Sequence, residues 1–166
     1  TSRIIEGSFS GIPNSFKMVI PASVKEIGEQ AFANSKGIKK VTYGEPTTVG
    51  TLVIPQTVKS IGESAFYDCS ELENVKWPSH IKNIPNETFR DCSKLKTISL
   101  PKGLEEIGYR AFSDCSSLEK IFIPKTVVRT GKYYGQPGAW FWGCEKLKEA
   151  TIPDSVTSLG GASFSG

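Results

Sequence analysis

Apolar residues recur along this chain in one repeating unit, seen most clearly between Leu95 and Leu118. Leu118 begins the next copy of the unit. In the first part of the unit, LxxIxI, the fourth and sixth residues alternate as one buried face of a short β-strand does. The apolar positions of this unit are Leu95, Ile98, Leu100, Pro101, Leu104, Ile107, Ala111, Phe112 and Cys115.

Phenylalanine marks the same place in successive units, at Phe9, Phe32, Phe66, Phe89, Phe112, Phe141 and Phe164. Four of the six intervals equal one unit, which is the distance from Leu95 to Leu118. The other two intervals are longer, and we interpret the excess as insertions near residues 44–54 and 132–138. Gly44, Pro46 and Gly50 in the first insertion predict a small hairpin there. We expect one repeat domain over residues 1–166, with about six to seven repeats and both ends incomplete.

The unit predicts a solenoid of stacked turns. Proline directly after each strand ends it, because proline cannot extend the hydrogen-bonded ladder. The next apolar residues, Leu104 and Ile107, are three apart, which favours an irregular or single-turn helical return. A unit this short cannot offset its own backbone entropy, roughly 1–2 kcal/mol per residue, without stacking on neighbours. The predicted class is therefore an α/β repeat protein with a short parallel β-sheet on one face.

These residues resemble the BspA-like (treponemal-type) leucine-rich repeat family, whose consensus LxxIxLPxxLxxIGxxAFxxC recurs with a period of 23. The resemblance implies a curved, right-handed leucine-rich-repeat solenoid. It also implies a secreted or cell-surface protein of a bacterium or mucosal parasite, used in adhesion to host proteins or other microbes. Trp77, Thr130 and Trp140 depart from the consensus, and these departures affect local packing.

Composition narrows the function classes further. The net charge of +3 is too small to indicate a nucleic-acid partner, and there is no dense basic tract. There is no apolar run long enough to insert into a membrane. The sequence has no phosphate-binding loop, no GxSxG motif and no HExxH motif, so we predict neither an enzyme nor a cofactor.

The four cysteines occupy one slot of successive repeats, just before the next strand: Cys69, Cys92, Cys115 and Cys144. We favour a reduced, inward-facing structural ladder, together with Phe32, Phe66, Phe89, Phe112 and Phe141. Neighbouring turns are about 5 Å apart, which a disulfide could span. Parallel side chains disfavour the torsion a disulfide needs, however, and no paired-cysteine motif indicates a metal. The single histidine, His80, is predicted to lie on the surface.

Two surfaces are candidates for binding. The first is the outward side of the strands, where Phe122 is an aromatic residue among Lys96, Lys120 and Lys148. The second is the late insertion, which contains Tyr133, Tyr134, Trp140 and Trp142. Aromatic rings there could anchor a protein or stack on a sugar, or they could fold back as a plug over the next repeat.

The leading hypothesis is a non-enzymatic protein-binding or adhesion module, extracellular or on a cell surface. Its expected partner is a host or microbial surface protein. One alternative is a structural spacer within a larger surface protein. Another is carbohydrate binding through the Tyr/Trp insertion.

Overall fold

The computed structural model describes residues 2–13, 16–18, 20–36, 38–41, 50–133 and 135–165. Short β-strands joined by turns make up this part of the chain, and none of the described residues lies in a helix. There is accordingly no described helix that could cross a bilayer. In chain order the strands are β1 (Ser2–Ile4), β2 (Phe16–Met18), β3 (Val24–Ile27), β4 (Ile38–Val41), β5 (Thr51–Val53), β6 (Ser60–Ile61), β7 (Asn74–Lys76), β8 (Asn83–Ile84), β9 (Thr97–Ile98), β10 (Glu106–Ile107), β11 (Lys120–Phe122), β12 (Arg129–Thr130), β13 (Lys132–Tyr133), β14 (Gln136–Pro137) and β15 (Glu149–Thr151).

The LxxIxI segments form the first sheet, as the alternating pattern predicts. Its strands are parallel, in the order β2–β4–β5–β7 and then β9–β11–β15. A main-chain hydrogen bond of 3.4 Å from Lys96 N to Glu73 O connects the two groups. The middle residue of β11, Ile121, is buried, and the residues on either side of it face outward.

A second set of parallel strands takes the place of the predicted helical returns. These strands pair in the orders β1–β3–β6 and β8–β10–β12. Glu106 in β10 lies opposite Asn83 of the preceding repeat and Arg129 of the following one. The helical part of the predicted α/β class is therefore not confirmed, and the fold is a parallel-strand β-solenoid. Two apolar residues three apart fit a bend followed by a strand as well as they fit a helical turn.

The solenoid turns approach one another closely just after the second strand. A Cβ atom added to Gly108 would lie 2.4 Å from the backbone of Pro85 and Asn86 in the preceding repeat. The Gly108 amide donates a 2.7 Å hydrogen bond to Ile84 O. Glycine at this slot therefore lets adjacent turns pair through their main chains.

The core is a continuous column of phenylalanine rings with a parallel column of cysteines. Successive rings from Phe9 to Phe164 stack with centroids 5.4–6.0 Å apart. The rings of Phe32, Phe66, Phe89, Phe112 and Phe141 are at most 1% exposed. Each repeat thus covers the apolar face of the next, which is how a solenoid acquires a core.

The first insertion adds a strand to one side of the solenoid. β5 lies between β4 and β7 and is parallel to both, so β4 and β5 do not form a hairpin with each other. The hairpin predicted near residues 44–54 falls largely on residues 42–49, which lie outside the described part of the chain. On the other side, β3 pairs directly with β6. Phe32 and Phe66 still stack at 5.4 Å. One strand occupies about 4.8 Å of a sheet, so the extra strand makes the first sheet wider at this point than the second set of strands.

Candidate binding surfaces

Among the side chains that the structure describes on the outer side of the first sheet, one large apolar side chain is mostly exposed. In β11, Lys120 and Phe122 are exposed on either side of the buried Ile121. The Phe122 ring is 58% exposed, and its register partner in β15 is the exposed Thr151. Several outward side chains on this sheet are polar, among them Lys76, Thr97, Glu149 and Thr151, and Val53, the register partner of Lys76, is half-buried. Phe122 is therefore an apolar point on a polar surface.

The three lysines predicted to accompany Phe122 are all exposed. Lys120 pairs with Glu149 at 3.0 Å, and Lys148 reaches Glu119 at 4.0 Å. Exposed pairs of this kind contribute at most about 1 kcal/mol, so a partner could displace them at little cost. Lys96 has no carboxylate within ion-pair distance among the described residues. It is thus available to an acidic group beside Phe122.

Trp140 does not belong to a binding surface. Its side chain is fully buried, so its inclusion among the binding residues is wrong. The indole Nε1–H donates a 3.1 Å hydrogen bond to Ile107 O, and the ring meets Phe141 edge-on. Burial removes a large apolar area from water while the one polar atom keeps an acceptor. The ring is thus packed inward against the preceding repeat, whereas the plug alternative placed it over the next one.

The rest of the late insertion is a two-stranded antiparallel hairpin, β13–β14. Tyr134 and the side chain of Tyr133 lie outside the described part of the structure. Trp142 follows the hairpin and is 38% exposed. Its ring is covered on one side by the guanidinium of Arg110, 5.3 Å from the ring centroid. Among the described side chains, Trp142 is therefore the aromatic residue of this insertion that could stack on a sugar, and Arg110 already covers one face of its ring.

A third surface, formed by the turns that carry the phenylalanines, was missed by the sequence reasoning. Arg90 lies over the ring of Tyr67 at 5.6 Å and pairs with Glu87 at 2.9 Å. Arg110 lies between two rings, those of Tyr109 and Trp142. We call Tyr67, Arg90, Tyr109, Arg110 and Trp142 the turn-face cluster.

The sequence does contain a signal for this cluster. Tyr67, Arg90 and Trp142 each directly follow a core phenylalanine, so they occupy the same slot of different repeats. Arg110 directly precedes the Ala-Phe pair of its repeat, in the slot that Ser64 and Glu87 fill in others. Aligning the repeats would have shown that Tyr, Arg and Trp fill the same slot in three of them, which predicts that their side chains lie on the same side of the solenoid.

The surroundings of the four cysteines favour a structural role for the thiols and disfavour a reactive one. Each thiol donates to the carbonyl of a phenylalanine in the preceding repeat, for example Cys115 to Phe89 O at 3.2 Å. The same bond recurs at Cys69, Cys92 and Cys144, at 3.1–3.3 Å. All four cysteines are free and buried. Burial raises the pKa of the Cys144 thiol to about 12 and raises the pKa of each of the other three as well, which disfavours the nucleophilic thiolate.

His80 lies on the surface, with its Nε2 atom 2.8 Å from the carbonyl oxygen of Val58. It is therefore engaged with the backbone and is exposed, whereas the thiols are buried. No set of three or more metal-ligating side chains converges within the described ranges.

The chain matches the family model of the BspA type leucine rich repeat region, in six copies, over residues 2–138 and 47–166. Among curated proteins, none matches the sequence.

Solved structures share the fold. The leucine-rich repeat protein TpLRR of T. pallidum is 24% identical with a TM-score of 0.68, over 92% of this chain and 75% of that one. One from Bacteroides ovatus is 25% identical with a TM-score of 0.63, over 93% and 53%. A leucine rich cell surface protein from Faecalibacterium prausnitzii is 24% identical with a TM-score of 0.56, over 90% and 51%. The chain thus spans about half the length of the last two.

Proposed function

This chain belongs to the BspA-type leucine-rich repeat family, and from that premise we propose that it is a protein-binding module of a secreted or cell-surface protein. Its fold and family are generally non-enzymatic. The proposed partner is a protein on a host or microbial surface, and the proposed role is adhesion.

The observation that carries the proposal is the exposure of Phe122 on the outer side of the first sheet. Polar side chains solvate the outer side of a sheet, whereas the Phe122 ring in β11 is left 58% exposed and gains only partial burial in the isolated solenoid. Lys120 lies two residues before Phe122 in β11. Lys96 and Lys148 flank Glu119 through main-chain hydrogen bonds, so basic and acidic groups lie along this part of the sheet. An aromatic residue surrounded by displaceable polar contacts is the usual composition of an interface hot spot.

Binding to immobilised extracellular-matrix proteins and to intact microbial cells tests the proposal. We expect at least one interaction that Phe122→Ala weakens by about tenfold or more, because hot-spot aromatics contribute over about 1.4 kcal/mol. Val128→Ala is the matched control, since Val128 is 56% exposed and lies outside the first sheet. Full binding by the Phe122 variant would place the site elsewhere. An absence of binding to every surface would favour the spacer role.

A further inference from the structure

Within the part of the chain that the structure describes, Arg110 differs from the other arginines because no carboxylate lies within ion-pair distance of it. Arg3 pairs with Glu26 at 3.5 Å, and Arg129 pairs with Glu106 at 2.9 Å. Arg90 pairs with Glu87 and also lies near Asp91 and Asp114. Among the described residues, Arg110 makes neither an ion pair nor a side-chain hydrogen bond, and its Nε atom is buried without a partner.

The side chain of Arg110 is nevertheless held in place. Its guanidinium lies 5.2 Å from the ring centroid of Tyr109 and 5.3 Å from that of Trp142. Cations at such distances are attracted by the ring faces, and contact with two rings restricts the long side chain. The main-chain φ of 51° at Arg110 recurs closely in the same slot at Ser64 and Glu87, so the backbone is set by the repeat. An ordered and unpaired guanidinium can bind an acceptor with little further loss of entropy.

A depression of about 280 Å³ opens beside this guanidinium. Its lining residues are Glu63, Asn86, Glu87, Arg90, Tyr109 and Arg110. Glu63 accepts a 3.1 Å hydrogen bond from Asn86 and has no cation partner among the described residues. The depression therefore offers a positive group to an acceptor and a negative group to a donor.

We propose that the turn-face cluster is a second docking surface, which binds a polypeptide segment through one acidic side chain at Arg110. A carboxylate satisfies the guanidinium, and the backbone N–H groups or a basic side chain of the same segment can donate to Glu63. Tyr67, Tyr109 and Trp142 supply aromatic contact area, and Tyr, Trp and Arg are the residue types enriched in hot spots.

The charges around the cluster select against polyanions. Glu63, Glu87, Asp91 and Asp114 all lie near the two arginines or line the depression. A sulfated polysaccharide or a nucleic acid would bring its negative groups against these four carboxylates. A protein segment with a single acidic group and neighbouring donors meets less repulsion, because it brings one negative charge to Arg110 and can donate to the surrounding carboxylates.

The test uses a random peptide library displayed on phage and selected on the folded protein. We expect selected peptides to carry Asp or Glu. Measured as synthetic peptides, they should lose at least tenfold in affinity with Arg110→Met, which retains an unbranched apolar stem between the rings and removes the charge. Trp142→Ala should give a similar loss. Arg129→Met is the matched control, because it removes an arginine that is already paired and should leave the affinity unchanged.

Thermal unfolding of each variant shows whether it is folded, and Arg110→Lys, which keeps the charge, should lose less affinity than Arg110→Met. No selected peptides, peptides without an acidic residue, or full affinity with Arg110→Met would overturn the proposal. Arg110-dependent binding of heparin, or Arg110-dependent self-association, would overturn it in favour of a polyanion or a second copy. Phe122→Ala should not affect these peptides, so this surface and the sheet-face proposal can fail separately.

Discussion

The cysteine slot shows how one side chain can serve a repeat in two ways. Each thiol fills a position in the core, and each also donates to a phenylalanine carbonyl one repeat away. Ser35 occupies the same slot in an earlier repeat and donates to Phe9 O. The slot therefore favours a small side chain that donates a second hydrogen bond to this carbonyl, which already accepts one from the main chain, as Phe89 O does from Cys92 N at 3.2 Å.

Burial of the thiols predicts a loss of stability at alkaline pH. The pKa of Cys115 is raised well above its ordinary value of 9.0 by desolvation. The folded protein therefore keeps this proton while the unfolded chain releases it. The stabilisation is complete below about pH 9 and is lost as pH rises from there toward the folded pKa. At pH 10 the loss is about 1.4 kcal/mol for one such thiol.

Urea unfolding at pH 8 and pH 10 under reducing conditions measures this loss. Cys115→Ser keeps a hydrogen-bond donor and removes the titrating group. Between pH 8 and pH 10, its free energy of unfolding should therefore fall by about 1.4 kcal/mol less than that of the natural sequence. Equal losses in the variant and the natural sequence would mean that the thiol is accessible in the folded protein.

At the scale of elements, the repeat tolerates insertions because each strand is paired through its main chain. β5 enters the first sheet without disturbing the stacking of Phe32 on Phe66. The late insertion forms its own hairpin and is followed by Trp140, which enters the core. An insertion thus either joins a sheet or forms a separate element next to a core residue.

Deleting residues 44–54 should leave a folded solenoid. The deletion brings Phe32 and Phe66 to the spacing of the uninterrupted repeats and lets β4 pair with β7. We expect a single cooperative unfolding transition at lower stability, because the buried Leu52 and Ile54 are lost. Circular dichroism and urea unfolding measure the result.

Deleting residues 56–66 is the matched control. It removes the same length of chain but includes Phe66, whose ring stacks on both Phe32 and Phe89. This variant should lose the cooperative transition. If both deletions unfold the protein alike, β5 is an essential part of the solenoid.

At the scale of the whole molecule, each repeat contacts its two neighbours, so position along the solenoid sets local stability. Phe89 is fully buried between Phe66 and Phe112, whereas Phe9 is 38% exposed. The amides of Phe89 and Phe9 make similar main-chain hydrogen bonds, 2.9 Å to Ala111 O and 2.8 Å to Ala31 O respectively.

The hydrogen-exchange rates of these two amides should differ by orders of magnitude. We expect Phe89 N–H to exchange only on global unfolding and Phe9 N–H to exchange through local opening of the first repeat. Asp91 and Gly11, whose amides make equivalent bonds at 2.9 Å and 2.8 Å, provide a second pair for comparison. Equal protection in both pairs would show that the solenoid opens only as a whole.

The repeat pattern alone determined the period, the first sheet and the family, because a buried slot constrains residue type in every copy. Phe112, Cys115 and Ile121 could each be placed inside from spacing alone. The second sheet could not be predicted, since Glu106–Ile107 is too short to show a period and owes its strand geometry to main-chain bonds with neighbouring repeats.

Only the tertiary structure decided which aromatic residues are free to bind. Trp140 and Trp142 are separated by a single residue and are chemically identical, yet one is buried and the other is partly exposed beside Arg110. The sequence predicts that aromatic residues gather near the late insertion, because composition is local. Their exposure depends on packing against Ile107 and Phe141 and on the side chains of the preceding repeat, contacts that the three-dimensional stacking of repeats creates.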